Sequence, residues 1–159
     1  MKKIKLTQNK FALVSNEDYE YLNQWKWCAH RDRKTFYAVR TVSKGDRKYK
    51  TICMHQVIAE RMGIKNPDHA DTNGLNNQRS NLRAATRSQQ GANRNKGKNN
   101  TSGYKGVSWH KRDKKWVSRI KISGKLIHLG NFDDIKDAAK AYNEAAIKYF
   151  GEFAVLNKV

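Results

Sequence analysis

Asp68 and His69 are the adjacent pair whose types and neighbours best fit a chemical reaction. A carboxylate is a hard oxygen donor suited to Mg or Mn, ions that keep several of their waters. A neutral imidazole, with a pKa of about 6.5, takes a proton from water near pH 7. Neighbouring side chains on a strand point to opposite faces, so both can serve one site only where the strand ends. The polar run Ala70-Asp71-Thr72-Asn73-Gly74-Leu75-Asn76-Asn77 puts such an end there. Asn81 follows His69 by twelve residues, and Gln90 comes nine later. A strand, loop and helix of this length fold back so that Asp68 and a helix side chain reach one ion, with His69 beside it. Phosphodiester hydrolysis needs this combination, a metal to offset charge and a base to deprotonate water. Taken alone, the pair also reads as a solvated turn that contains a histidine.

The charge names the partner. Of 159 residues, 33 are Lys or Arg and 14 are Asp or Glu, a formal net charge of +19. That balance points to a polyanion, with nucleic acid ahead of an anionic membrane surface. No run approaches the ~20 apolar residues of a spanning helix. The basic start Met1-Lys2-Lys3 continues into polar Thr7-Gln8-Asn9 instead of the apolar stretch of a signal peptide. Cys28 and Cys53 form no metal-binding or disulfide spacing. The chain is therefore expected to be cytoplasmic. Acids are absent from Thr72 to Arg112, a stretch holding Arg79, Arg83, Arg87, Arg94, Lys96, Lys98, Lys105, Lys111 and Arg112. Such a belt fits a phosphate backbone running over it, with affinity that falls as salt rises.

Three segments surround these residues. Strand formers at Phe36–Val42 and Tyr49–Met54, divided by the turn signal Ser43-Lys44-Gly45-Asp46, read as a hairpin beside the aromatics Tyr19, Tyr21, Trp25 and Trp27. His55–Met62 reads as a short helix, stopped by Gly63. Ser80 is placed to cap a helix from Asn81 to about Gln90. Asn93-Arg94-Asn95-Lys96-Gly97-Lys98-Asn99-Asn100 has no apolar residue and reads as a flexible cationic linker. Beyond it, Tyr104–Trp109, Lys115–Ile122 and Lys125–Leu129 read as three short strands. Asp134–Phe150 reads as a helix, with Ile135, Ala138, Ala139, Tyr142, Ala145, Ala146 and Tyr149 at helical spacing. Trp116, Ser118, Ile120 and Ile122 share the face expected to receive that helix. Val117, Arg119 and Lys121 share the face left for DNA. His30 and His110 read as surface residues, and His55 fits a supporting role at the site, a DNA contact, the core or the surface.

The run from Asp68 to Arg83, followed by Ala85-Thr86-Arg87-Ser88-Gln89 and preceded by Met54-His55-Gln56-Val57-Ile58, resembles the HNH nuclease motif of phage and intron-encoded homing endonucleases. The resemblance covers about 40 residues. It implies that His69 is the general base, that Asp68 is a metal ligand and that Asn81 braces the loop positioning His69. The third motif position, usually His or Asn, falls on Gln90, whose amide oxygen sits on a stem one methylene longer than that of Asn. Asn93 is a substitute ligand. Mg or Mn is the implied cofactor.

Ser102-Gly103-Tyr104-Lys105-Gly106-Val107, Leu129-Gly130-Asn131-Phe132-Asp133, Asp137–Ala146 and Gly151–Asn157 resemble the APETALA/ethylene-response-factor DNA-binding domain over about 55 residues. That domain lays a three-stranded sheet in the major groove with its helix behind. By resemblance, Lys105, His110, Arg112, Arg119, Lys121 and His128 fall on or near the contact strands. Lys105, Ser108 and His128 stand where the family usually has Arg or Trp, so its base preference does not transfer.

The expected fold is α+β. Residues 1–93 form a β-rich HNH domain with a ββα-metal core over about 52–93, residues 94–102 the linker, and residues 103–159 a three-stranded antiparallel sheet packed on one α-helix. The expected function is metal-dependent cleavage of double-stranded DNA, by nicking or a double-strand cut, at a site held by the C-terminal sheet and linker. Catalysis is assigned to His69 and Asn81, and metal binding to Asp68 and Gln90. DNA contact is assigned to Arg83, Arg87, Arg94, Lys96, Lys98, Lys105, His110, Arg112, Arg119 and Lys121. The alternative is a DNA-binding regulator without cleavage. A monomer is expected, with a dimer as the alternative, in a bacterial or phage-infected cell.

Overall fold

The computed structural model describes residues 1–32 and 35–159. The chain forms two compact units, residues 1–85 and 86–159.

In the first unit, β1 (Lys2–Lys5) and β2 (Phe11–Val14) form an antiparallel hairpin, followed by α1 (Asn16–Asn23). The strands β3 (Cys28–Asp32), β4 (Thr35–Ser43) and β5 (Tyr49–Cys53) make an antiparallel sheet. α2 (Met54–Arg61) follows directly, and Gly63, at φ +70°, comes just past its end. The polar region then supplies three very short strands. β6 (Pro67–His69) pairs antiparallel with β8 (Leu82–Ala84), and β7 (Asn76–Asn77) adds parallel to β2. The core gathers Ile4, Val14, Leu22, Trp27, Ala29, Ala38, Met54, Ile58 and Leu82 from the first hairpin, both helices, β3, β4 and β8. The β4–β5 hairpin, α2 and the Tyr21–Trp25–Trp27 aromatic cluster match the sequence expectation. The helix α1 has no counterpart in that expectation.

The helix expected over 81–90 is corrected. Arg79–Asn81 is a 310 turn, Leu82–Ala84 is strand, and α3 (Arg87–Ala92) begins only after Thr86. Leu82 stands opposite His69 in the ladder, which draws the backbone out of helix. Thr86 and Gln89 then form a capping box, each side chain accepting the other's backbone N–H. Ser80 lies inside the 310 turn and caps no α-helix.

The second unit begins with α3. β9 (Val107–His110), β10 (Lys115–Ile122) and β11 (Lys125–Phe132) form the expected antiparallel sheet with β10 central, and α4 (Ile135–Phe150) packs on it. Ser123 and Gly124, at φ +47° and +87°, make the tight β10–β11 turn, the geometry that suits the twist of a two-residue hairpin. Asp134 caps α4 by accepting from the N–H groups of Lys136 and Asp137. Ala138, Ala139, Tyr142, Ala145 and Ala146 are buried, and the small residues let the helix lie close to the sheet. Gly106 has φ +78°, and a Cβ there would stand 2.1 Å from the Tyr142 ring. The segment expected as a linker has no regular element and lies within this unit, where Asn100 Nδ2 donates to the Tyr104 carbonyl at 2.7 Å. No helix among the described residues is long and apolar enough to cross a membrane.

One buried charge fastens the first unit. Asp18 of α1 is 0% exposed and accepts from Arg79 Nε at 2.7 Å, Arg79 Nη2 at 2.9 Å and Arg61 Nε at 3.1 Å. Burial pushes its carboxyl up, but the two guanidiniums outweigh burial and hold it below the usual range. A depressed acid contributes stability above its unfolded pKa, about 3.9, that is lost as pH falls through the folded value. Asp18→Ala should cost about 3 kcal/mol in urea unfolding at pH 7, because it leaves two cations without their buried anion, and less near pH 2.

Candidate functional site

His69 ends β6 and is only 7% exposed. Its Nε2 lies 3.2 Å from Oδ1 of Asn77, a residue with no exposure at all. Asn77 Nδ2 points to the Gly74 carbonyl at 3.5 Å, which leaves Oδ1 as the atom facing the ring. An amide oxygen only accepts, so the neutral imidazole donates from Nε2 and carries its lone pair on Nδ1. Sequence reading missed this orienting residue; the signal was the Asn76-Asn77 doublet, visible in the polar run but given no role.

The loop behind the histidine is closed by amides. Asn81, 8% exposed, accepts from the Asp71 N–H at 3.1 Å and donates to Asp71 Oδ1 at 2.9 Å and the Asn76 carbonyl at 2.8 Å. Asp71 Oδ2 also accepts from Asn76 Nδ2 at 2.8 Å. Burial raises the Asp71 carboxyl, but bonds from Asn76, Asn73 and Asn81 prevail and its pKa is lowered. Gly74 presses on β4: its N–H donates to Thr35 Oγ1 at 3.1 Å, and a Cβ there would stand 2.5 Å from the Phe36 carbonyl oxygen and 2.6 Å from the Tyr37 ring.

Two more rings hold His69 in place. His55, from α2, meets it edge-on at 5.0 Å between centroids, and Tyr37 lies 5.8 Å from His69 and 5.5 Å from His55. Burial lowers both histidine pKa values. For His69, the Asn77 bond and the charges of Asp71 and Asp68 partly offset it; for His55, His69 adds to it and the value falls to about 4. Both imidazoles are neutral at pH 7.

Asp68 is half-buried. Its neighbour across the ladder is Arg83, whose guanidinium lies 3.5 Å from Asp68 Oδ2. Arg83, assigned to DNA from the sequence, thus meets the carboxylate assigned to metal. Gln90 and Asn93 belong to the second unit, on and just after α3. Among the described residues, no three His, Cys, Asp or Glu converge as a metal site. A carboxylate with amide oxygens and water is nevertheless a hard-oxygen set that suits Mg.

In the second unit, the sheet face away from α4 carries Arg119 opposite His128 and Lys121 opposite Leu126, all exposed. A bulge at Leu129 falls between the Ser118 and Arg119 pairs. Arg87, Arg94, Lys96 and Lys98 are exposed. His110 and Arg112 both meet Asp113, at 3.2 and 3.0 Å. Lys105 turns inward, its ammonium donating to the Ala92 carbonyl.

Comparison with known proteins bears on both halves. A family model described as AP2 domain matches residues 102–152. A mimivirus protein (Acanthamoeba polyphaga mimivirus) named an uncharacterized HNH endonuclease is 39% identical over 149 residues, 94% of this chain and 75% of its own length. Protein 3.8 of Escherichia phage T7 is 34% identical over 87 residues, 55% of this chain and 71% of that protein. APETALA2-like protein 2 of Oryza sativa subsp. japonica is 44% identical over 57 residues, 36% of this chain. The match spans only 13% of the rice protein's length. The chain belongs to the family of the mimiviral HNH endonuclease and carries an AP2 domain at 102–152.

The neutral His55 makes a pH prediction. A histidine with a lowered folded pKa loses stability as pH falls from its unfolded value, about 6.5, toward its folded one. The drop in unfolding free energy between pH 7 and pH 5 should be roughly 2 kcal/mol smaller in His55→Phe than in the unmutated chain. Equal drops in urea titrations would contradict this.

Proposed function

We propose that the protein is a metal-dependent DNA endonuclease of HNH type that cuts phosphodiester bonds at sites held by its C-terminal sheet. The observation that carries the reading is His69 itself: buried, neutral, with Nε2 engaged by Asn77 and its lone pair therefore on Nδ1. A base must be unprotonated and oriented before water arrives. Asn81 keeps the loop beneath it closed. Asp68 is the carboxylate proposed to hold a divalent ion. That ion, Mg or Mn, would offset charge on the phosphate and the leaving oxygen. His69 would accept the proton of the attacking water at Nδ1, and its Nε2–H bond to Asn77 would steady the imidazolium that results.

DNA contact is proposed for the exposed cations: Arg87, Arg94, Lys96 and Lys98 around the basic segment, with Arg119 and Lys121 on the sheet. The AP2 domain match at residues 102–152 supports the assignment of Arg119 and Lys121, and the name of the mimiviral relative supports the nuclease. One copy of the motif suits nicking of one strand per monomer; a dimer would cut both.

A second reading, DNA binding without cleavage, is favoured by the Asp68–Arg83 pair, which already answers the proposed metal carboxylate. Plasmid incubated with the protein and Mg or Mn separates the two. Nicking is expected, with His69→Ala slower by ~10²–10⁴-fold. Intact plasmid containing the target site would support the second reading, and equal cleavage by His69→Ala would remove the base assignment. Arg119→Ala with Lys121→Ala should weaken duplex binding and lower the salt slope by about 1 for each phosphate no longer neutralised; unchanged affinity would take that face out of the interface.

A further inference from the structure

We infer that Lys105 is a positioning residue that clamps α3, the helix bearing Gln90, onto the C-terminal unit, and is not a phosphate contact. The clamp stands on geometry within that unit.

The backbone of Lys105 is fixed on both sides by one residue. Its N–H donates to Asn157 Oδ1 at 2.6 Å, and its carbonyl accepts from Asn157 Nδ2 at 3.0 Å. Asn157 is itself locked to α4: its N–H donates to Asn143 Oδ1 at 2.8 Å, and its carbonyl accepts from Asn143 Nδ2 at 2.9 Å. Gly106, the next residue, has no room for a side chain against Tyr142. The start of the Lys105 side chain is therefore held in place. Its ammonium lies 6.0 Å from the Tyr142 ring centroid and donates to the carbonyl of Ala92, the last residue of α3.

That carbonyl sits where a helix leaves acceptors unsatisfied and carries the negative end of its dipole, so a lysine there is favourable on both counts. The same oxygen accepts from the Val155 N–H at 3.3 Å. At the other end of the helix, Ser88 Oγ accepts from the N–H of Ser123, in the β10–β11 turn, at 3.1 Å. α3 has six residues, too few to persist without support. The direction of Gln90 thus depends on attachments at both ends of the helix. Burial lowers the Lys105 pKa to about 8, in keeping with an ammonium withdrawn from water.

The test uses the full chain. Lys105→Met keeps the stem over Tyr142 and removes the donor. The amides of Gln90 and Asn93, bonded to the Thr86 and Gln89 carbonyls at 2.9 Å each, report the helix by hydrogen exchange. Expected is exchange about tenfold faster, with duplex affinity and salt slope unchanged. Lys105→Arg, which keeps a donor on a long stem, should restore the slow exchange. Unchanged exchange overturns the inference, as does weaker duplex binding with a salt slope smaller by about 1. If Lys105→Met fails to fold, Ser88→Ala at the other end of the helix must show the faster exchange, and normal exchange there overturns the inference. A chain that nicks DNA in neither metal removes the nuclease reading, while exchange and affinity still judge the clamp.

Discussion

The buried carboxylate of Asp18 is the constraint on which the first unit depends. A charge with no access to water persists only when paired, and its partners come from far apart: Arg61 at the end of α2 and Arg79 in the 310 turn. Ser15, just before α1, adds a second tie by accepting from the Arg79 N–H at 3.0 Å. Glu17 reinforces it, 3.0 Å from Arg79 Nη1. The consequence reaches the site because Asn81 follows Arg79 by two residues. One end of the loop that Asn81 closes is thereby anchored to α1 and α2.

From that anchor the orientation of His69 follows through short, polar steps. Asn77 lies on β7, whose backbone pairs with β2, so the N-terminal hairpin sets the position of the amide that faces the imidazole. Tyr37 and His55 close the ring in from β4 and α2. Three separate elements, β7, β4 and α2, thus converge on one side chain. Burial is what makes the arrangement useful: it disfavours the imidazolium at rest, while the Asn77 bond and then the charges of Asp71 and Asp68 partly offset it.

The cationic belt, by contrast, divides once the chain folds. Arg79 turns to Asp18, Arg83 to Asp68 and Lys105 to the end of α3, so these three charges serve internal structure. Arg87, Arg94, Lys98, Arg119 and Lys121 remain exposed. Acids are gathered at the start of α4, where Asp134 caps the helix and Asp137 adds a carboxylate to its first turn, in keeping with its dipole. The sheet face away from α4 is left basic.

Much of this was legible in residue order. The β4–β5 hairpin, α2, α4 and the three C-terminal strands follow from local periodicity and turn chemistry, which need no distant partner, whereas Val117, expected on the face left for DNA, is buried. The Asp68-His69 pair and the Asn81 spacing were also visible, because a loop of fixed length leaves few ways to close. The end of the motif was misread as one helix over 81–90. Leu82 opposite His69 is a pairing across the loop, and it overrode a local capping signal at Ser80 in favour of the one at Thr86. Asn77 as the partner of His69, Arg83 as the partner of Asp68 and the inward turn of Lys105 were equally out of reach. A charge or an amide declares its type in the sequence, but what it faces is decided by which strands lie beside it, and only the tertiary structure sets that.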